Sequence, residues 1–257
     1  MARTTLSARA VLVTAVVVAL AAGATACGAS AADDKHPDHR SFALQGDTLT
    51  IDSDDSALEI VASDAATTGA VAVTRWFEGS VTVGESPKVT WSMKDDRLTL
   101  RMHCSGVIAD CSAKHRVEVP RGVAVKVEDD DGSVRAQGFR DALSVHARDG
   151  SVHVTDSSGP LDLRTEDGSV HAEVASRSVR THTEDGSVRL ELSAVPDRVD
   201  SVSEDGSVTI ALPTAAYRVT TKTDDGGVDV SVPRDESSAH VVSAHTADGK
   251  VTVRNAN

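Results

Sequence analysis

The chain has 257 residues, enough for one large domain or two small ones. Aromatic residues make up only 2 % of it, which sets aside a ring-lined carbohydrate groove and a platform that stacks single-stranded nucleic acid. A net charge of -13 sets aside phosphate-backbone binding, which draws on clustered Lys and Arg, so no nucleic-acid partner is expected.

In chain order, Arg3 and Arg9 form a short basic start, followed by an apolar run from Val11 to Ala22. That run is too short for a permanent membrane span and reads as a signal peptide over residues 1–26. It ends in Ala24-Thr25-Ala26-Cys27-Gly28, which resembles a bacterial lipobox, with small residues before a Cys that would take a diacylglyceryl group. Cys27 is thus the expected lipidation site and first mature residue, placing the protein on the outer face of the cell membrane. The mature chain would carry 24 basic against 39 acidic side chains. Residues 27–44 begin with the Cys and GASAADDKHPDHR, which has no apolar periodicity and reads as the lipidated Cys and a flexible tether.

Residues 45–120 alternate apolar and polar positions along long strands: Val71 and Val73, Val81 and Val83, Val89, Trp91 and Met93, then Leu98, Leu100 and Met102. The breaks at Glu78-Gly79 and Lys94-Asp95-Asp96 suggest hairpins, and both Trp residues fall here, so this part is expected to cap one end of the domain. Cys104 and Cys111 flank a Ser-Gly loop, and in an exported chain they are expected to form a disulfide. With His103 and His115 they match no common zinc spacing.

From residue 121 to 257 a repeat takes over. Asp131-Gly132-Ser133-Val134 recurs at Asp149-Gly150, Asp167-Gly168, Asp185-Gly186 and Asp205-Gly206, with looser copies at Asp225-Gly226 and Asp248-Gly249. The steps are 18, 18, 18, 20, 20 and 23 residues, and Asp55-Ser56-Ala57-Leu58 is a degenerate early copy. Apolar residues stand six before each Asp (Val125, Leu143, Leu161, Val179, Val199, Val219, Val242) and three after it. Polar residues alternate with them, so the elements are strands with one buried face. A meander of hairpins needs no constant spacing between turns, whereas a coil needs a constant perimeter. The near-constant step, with a second corner near Gly138 and Gly159, predicts an all-β fold. Specifically it predicts a β-solenoid of stacked coils of about 18–20 residues, each copy on the previous one, with an N-terminal β-hairpin cap.

The run VEVPRGVAVKVEDDDGSV, the iterated T-E-D-G-S-V units and the closing ALPTAAYRVTTKTDDGGVDVSV together resemble the bacterial "putative adhesin" β-strand repeat domain of unknown function. The resemblance covers roughly residues 45–255. It implies a β-solenoid-like domain, an anchored extracytoplasmic location and no defined activity. Where that family often has Ser-Gly-Asp, this chain has Asp-Gly-Ser, so its corner is more acidic.

Three features could carry function. Stacking would align Asp131, Asp149, Asp167, Asp185, Asp205 and Asp225 along one edge, where their mutual repulsion could be relieved by calcium. The plainer account is that Asp-Gly makes the turn, with Gly132, Gly150, Gly168, Gly186, Gly206, Gly226 and Gly249 as turn glycines. His153 and His171 would sit on neighbouring rungs without an evident third ligand, and His146, His182 and His245 stand three before the Asp. Catalytic signatures are lacking: no triad order with context, no phosphate loop and no free nucleophilic Cys. The expected role is therefore non-catalytic, binding or structural, with cell-wall polymer or a surface protein as partner. A calcium-organised module and an enzyme acting on surface glycan are the alternatives.

Overall fold

The computed structural model describes residues 30–64, 66, 67 and 69–256; the signal segment and the lipobox with Cys27 lie outside the described residues. The first strands are β1 (Asp38–Ala43), β2 (Thr48–Ser53), β3 (Ser56–Ser63), β4 (Ala70–Val81), β5 (Lys88–Lys94), β6 (Arg97–His103) and β7 (Ala109–Pro120). The repeats supply β8 (Ala124–Asp129), β9 (Val134–Gln137), β10 (Leu143–Asp149), β11 (Val152–Thr155), β12 (Leu161–Asp167), β13 (Val170–Val174), β14 (Ser178–Asp185) and β15 (Val188–Leu192). They continue as β16 (Arg198–Asp205), β17 (Val208–Leu212), β18 (Arg218–Asp225), β19 (Val228–Val230), β20 (Val241–Asp248) and β21 (Val251–Asn255). Among the described residues there is no α-helix, only a 3-10 turn at Ala31–Asp33.

The strands form two facing sheets, and the chain passes between them at every corner. One is ordered β1-β4-β7-β3-β9-β11-β13-β15-β17-β21-β19, the other β18-β20-β16-β14-β12-β10-β8-β2-β6-β5. From β2 and β3 onward, neighbouring coils pair in parallel and in register: Val152 opposite Val170, Val170 opposite Val188, Val188 opposite Val208. This is the predicted β-solenoid. Gly138 and Gly159 do stand at the second corner, where Gly138 adopts φ 83° and a Cβ on Gly159 would meet the Asp141 carbonyl oxygen at 2.2 Å.

The order of stacking departs from the order of the chain at both ends. The coil β20–β21 lies between β16–β17 and β18–β19, so the last repeat rests on the fifth Asp-Gly copy and the sixth copy closes the stack. The expectation that each copy stacks on the previous one fails there. The 23-residue step is the physical reason, because the extra length in residues 231–240 lets the chain turn back. The buried Tyr217 holds that excursion, donating its N–H to the Pro233 carbonyl and accepting the Asp235 N–H at its own. At the other end β2–β3, the degenerate early copy, is a full coil placed between β6–β7 and β8–β9.

The antiparallel cap therefore comprises β1, β4 and β5, laid on the coil β6–β7. β1 falls inside the stretch read as a tether, pairing Asp38 with Arg75 and Ala43 with Ala70. Phe42, at its inward position, meets the Trp91 ring edge-on at 6.3 Å, which explains why these residues join the sheet despite their polar neighbours.

The core is a set of columns. Leu49, Val125, Leu143, Leu161, Val179, Val199 and Val242 stack at one inward position, and Leu58, Val134, Val152, Val170, Val188, Val208 and Val251 at the facing one, all buried. Each buried Val or Leu contributes about 1.5–3 kcal/mol by leaving water, and repetition of the column supplies the stability that aromatic side chains give in other folds.

Candidate functional site

The acidic corner is built first by its backbone. At successive coils the glycine N–H donates to the Asp carbonyl of the next rung: Gly150 to Asp167 at 3.0 Å, Gly168 to Asp185 at 2.9 Å, Gly186 to Asp205 at 2.9 Å and Gly206 to Asp248 at 2.9 Å. Glycine is required by close approach. A Cβ on Gly186 would stand 2.2 Å from the Gly168 carbonyl oxygen, and one on Gly206 2.2 Å from that of Gly186.

The aspartates align as the stacking demands, Asp149 opposite Asp167, then Asp185, Asp205, Asp248 and finally Asp225. Desolvation and the flanking Asp167 and Asp205 carboxylates push the Asp185 carboxyl above its ordinary value. At the first rungs the hydrogen bond between Asp131 and Asp149 lowers the former and raises the latter. Arg148 offsets the crowding there, reaching Asp130 at 3.3 Å, Asp131 at 3.4 Å and Asp149 at 3.5 Å. Among the described residues no group of three or more His, Cys, Asp or Glu side chains converges as a metal would need.

Behind this edge runs an inward column of hydroxyls that the apolar pattern does not reveal. In the T-E-D-G-S-V unit the Thr points into the solenoid. Thr165 donates to the Gly168 carbonyl at 2.7 Å, Thr183 to the same oxygen at 3.0 Å, Ser203 to Gly186 at 2.9 Å and Thr246 to Gly206 at 2.7 Å. The signal is present in the strict two-residue spacing to Asp, but it becomes a contact only once the register is known.

One rung breaks the column with a charge. Asp129, aligned with Ser53 and Ala147, is 4 % exposed, and its Oδ2 accepts the Gly132 N–H at 2.9 Å. Burial pushes its carboxyl up to about 6. Nearby, Ser53 Oγ lies 3.1 Å from Ser56 Oγ, which lies 3.1 Å from His115 Nδ1. All three are buried, and burial with the Arg75 charge pulls His115 down to about 4. A serine and a histidine in contact could do nucleophilic chemistry only at a surface; this pair is sealed in the core and acts as internal polar packing.

The outer faces carry the side chains that a partner would meet. His153 and His171 stand on adjacent rungs, rings edge-on at 4.7 Å, with Arg135 and Arg189 in the same column. Glu173 lies 3.2 Å from His171 Nε2, and burial together with the His171 charge holds His153 below the usual imidazole value. On the opposite sheet, the small residues Ala124, Ala142, Pro160 and Ser178 open a trough of about 290 Å³ across the coils. Lys126, Asp162, Arg180 and Asp200 alternate in charge along its side. Cys104 and Cys111 are joined as a disulfide with Cα atoms 6.3 Å apart, at the base of a loop whose Val107 and Ile108 are exposed.

Comparison with known proteins agrees with this architecture. Residues 21–256 match the model of the family described as Toastrack DUF4097. A crystal structure of a "putative adhesin" from Bacteroides fragilis is similar with a TM-score of 0.55 at 14 % identity, covering 87 % of this chain and 98 % of that one. A "putative cell adhesion protein" from Clostridium sporogenes is similar at 12 % identity, with a TM-score of 0.40 and 86 % and 100 % covered. Among curated proteins none matches significantly. With nearly the whole chain matched, and a parallel two-sheet stack beneath the match, the protein belongs to the Toastrack DUF4097 family.

Proposed function

We propose that the protein is a lipid-anchored extracytoplasmic module that binds a repetitive partner at the cell surface without catalysis. The observation that carries this reading is the trough across β8, β10, β12 and β14, where side chains recur at one rung spacing, about 4.8 Å. Such a row matches an extended polymer better than a compact small molecule. Two further points support it: the Ser–His pair of the core is sealed from solvent, and the solved structure of similar fold carries an adhesin name. The lipobox at Cys27 supports the anchor.

The test is co-sedimentation of the protein with isolated cell wall. Saturable pelleting that survives moderate salt and is lost in Arg180→Glu is expected. No pelleting removes the wall as partner. A calcium-organised module is the second reading; it draws on the alignment of Asp149, Asp167, Asp185 and Asp205 at successive rungs, and it would need their side chains to reorient, since among the described residues no three of them converge. A melting temperature unmoved by millimolar calcium or by chelator removes that reading.

A further inference from the structure

Exposed apolar surface is concentrated at one place in this molecule. Among the described residues four large apolar side chains are exposed, and three of them are Val83, Val107 and Ile108, at 59 %, 78 % and 63 %. The fourth, Val228, sits at the far end of the stack.

The three belong to one projecting tip. β4 and β7 pair antiparallel as far as Val81 opposite Ala109. Beyond that point Thr82 donates its N–H to the Ile108 carbonyl at 2.9 Å and Val107 donates to the Val83 carbonyl at 2.8 Å. Gly84 then bridges Gly106, and the Cys104–Cys111 disulfide ties the base. β3 meets β7 only from Ala113 onward, and β1 meets β4 only as far as Arg75, so the tip runs past the strands that flank it. The stretch from Ser105 to Ala109 carries no charged side chain, in a chain of net charge -13. At the other side of the tip Glu85 is paired with Lys88 at 3.6 Å. An exposed, uncharged apolar patch of this kind marks a surface that meets a partner or a membrane.

Where the chain enters decides between the two. β1 runs antiparallel to β4 with Asp38 opposite Arg75, so the chain before β1 runs along β4 toward the tip. Asp34 accepts the Phe77 N–H at 3.1 Å, and the 3-10 turn Ala31–Asp33 rests against β4 and β7 with Ala31 buried. Cys27 stands three residues before Ser30. Three residues reach at most about 11 Å, so an acyl group on Cys27 would bring the bilayer to this end of β4.

We propose that the tip carrying Val83, Val107 and Ile108 seats in the outer leaflet of the membrane that holds the Cys27 lipid. This rests on the lipid-anchor reading of Cys27. The lipid retains the protein, and the tip orients it, with the cap end toward the bilayer and the later coils standing away from it. Glu85, Lys88 and Asp110 flank the apolar residues and limit entry to the tip itself.

The test uses the full-length lipidated protein, reconstituted in vesicles of equal parts phosphatidylcholine and phosphatidylglycerol with brominated acyl chains. Ile108→Trp is expected to show emission at shorter wavelength and stronger quenching than the wild type, whose Trp76 and Trp91 give the background. Val228→Trp, at the far end, is expected to be quenched no more than the wild type. Adding Val83→Asp and Val107→Asp to Ile108→Trp is expected to remove the extra quenching and leave flotation with the vesicles unchanged. Unaltered far-UV circular dichroism shows that each variant is folded. A protein that floats with the vesicles while Ile108→Trp is quenched no more than wild type overturns the proposal and leaves the anchor standing. A shift to shorter wavelength without quenching would assign the tip to a second copy of the chain and also overturn it. A wild-type chain that carries no lipid by mass and does not float overturns both readings.

Discussion

Residue identity in this fold is decided by what the next rung leaves room for. The corner glycines are the tightest case, since the carbonyl of the rung below occupies the place of a side chain. Gly186→Ala is therefore expected to cost at least about 2 kcal/mol, read as a lower denaturation midpoint, with Ser187→Ala as an unaffected neighbour. Asp129 is the opposite case, a residue whose replacement should help. Its folded value of about 6 lies above the ordinary 3.8, so the folded state holds the proton more tightly than the unfolded chain. The penalty is full above about pH 6, shrinks as pH falls below that, and is gone only below about 3.8, where both states are protonated. The shift corresponds to about 3 kcal/mol at most. Asp129→Asn, which keeps an acceptor for the Gly132 N–H, is expected to raise the melting temperature at pH 7.5 and leave it nearly unchanged at about pH 3. An equal gain at both would show that the buried charge is not the cause.

Among the elements, the disulfide loop between β6 and β7 is the piece least supported by the stack. β7 starts at Ala109 while its parallel partner β3 begins only at Ser56 opposite Ala113, so residues 109–112 have β4 and the Cys104–Cys111 bond but no parallel neighbour in β3. Closing so short a loop contributes about 2 kcal/mol in the chain-entropy account. Reduction is expected to lower the melting temperature, and limited proteolysis should then cut first near Val107 and Ile108. Intact protein under reducing conditions would contradict that. How much of this is legible in the sequence varies by element. The strands β8 to β17 can be placed from the Asp-Gly register, because each step repeats the same perimeter and the same inward Val. The coil β2–β3 is visible only as a degenerate copy, and β1 not at all, since DHRSFA carries a single buried residue. The exchange of β18–β19 with β20–β21 leaves no trace in the apolar pattern, as both coils offer Val at the same positions; only the long 23-residue step hints at it. The Ser56–His115 contact joins residues 59 apart, which no local pattern can pair.

At the scale of the molecule, a rigid stack with repeating faces, a trough on one side and an acidic edge on another is suited to display. The proposed anchor at Cys27 would set where it is displayed. The described chain enters beside β4, where Asp34 accepts the Phe77 N–H, so in sequence Cys27 stands only a few residues before a point held at the cap end. Cys27→Ser is expected to move the protein from the membrane fraction to the medium while leaving its melting temperature unchanged; retention on the membrane would mean that something other than a lipid holds it.

The crossed order of the coils has one more consequence. Linear repeat arrays ordinarily fray inward from their terminal units. Here the unit that comes later in the sequence is clamped with neighbours on both sides, β21 between β17 and β19. The coil β20–β21 cannot peel away without first lifting the unit outside it. During folding the closing unit β18–β19 must also wait for residues that follow it in the chain. The stack is thus latched by a later unit tucked beneath an earlier one.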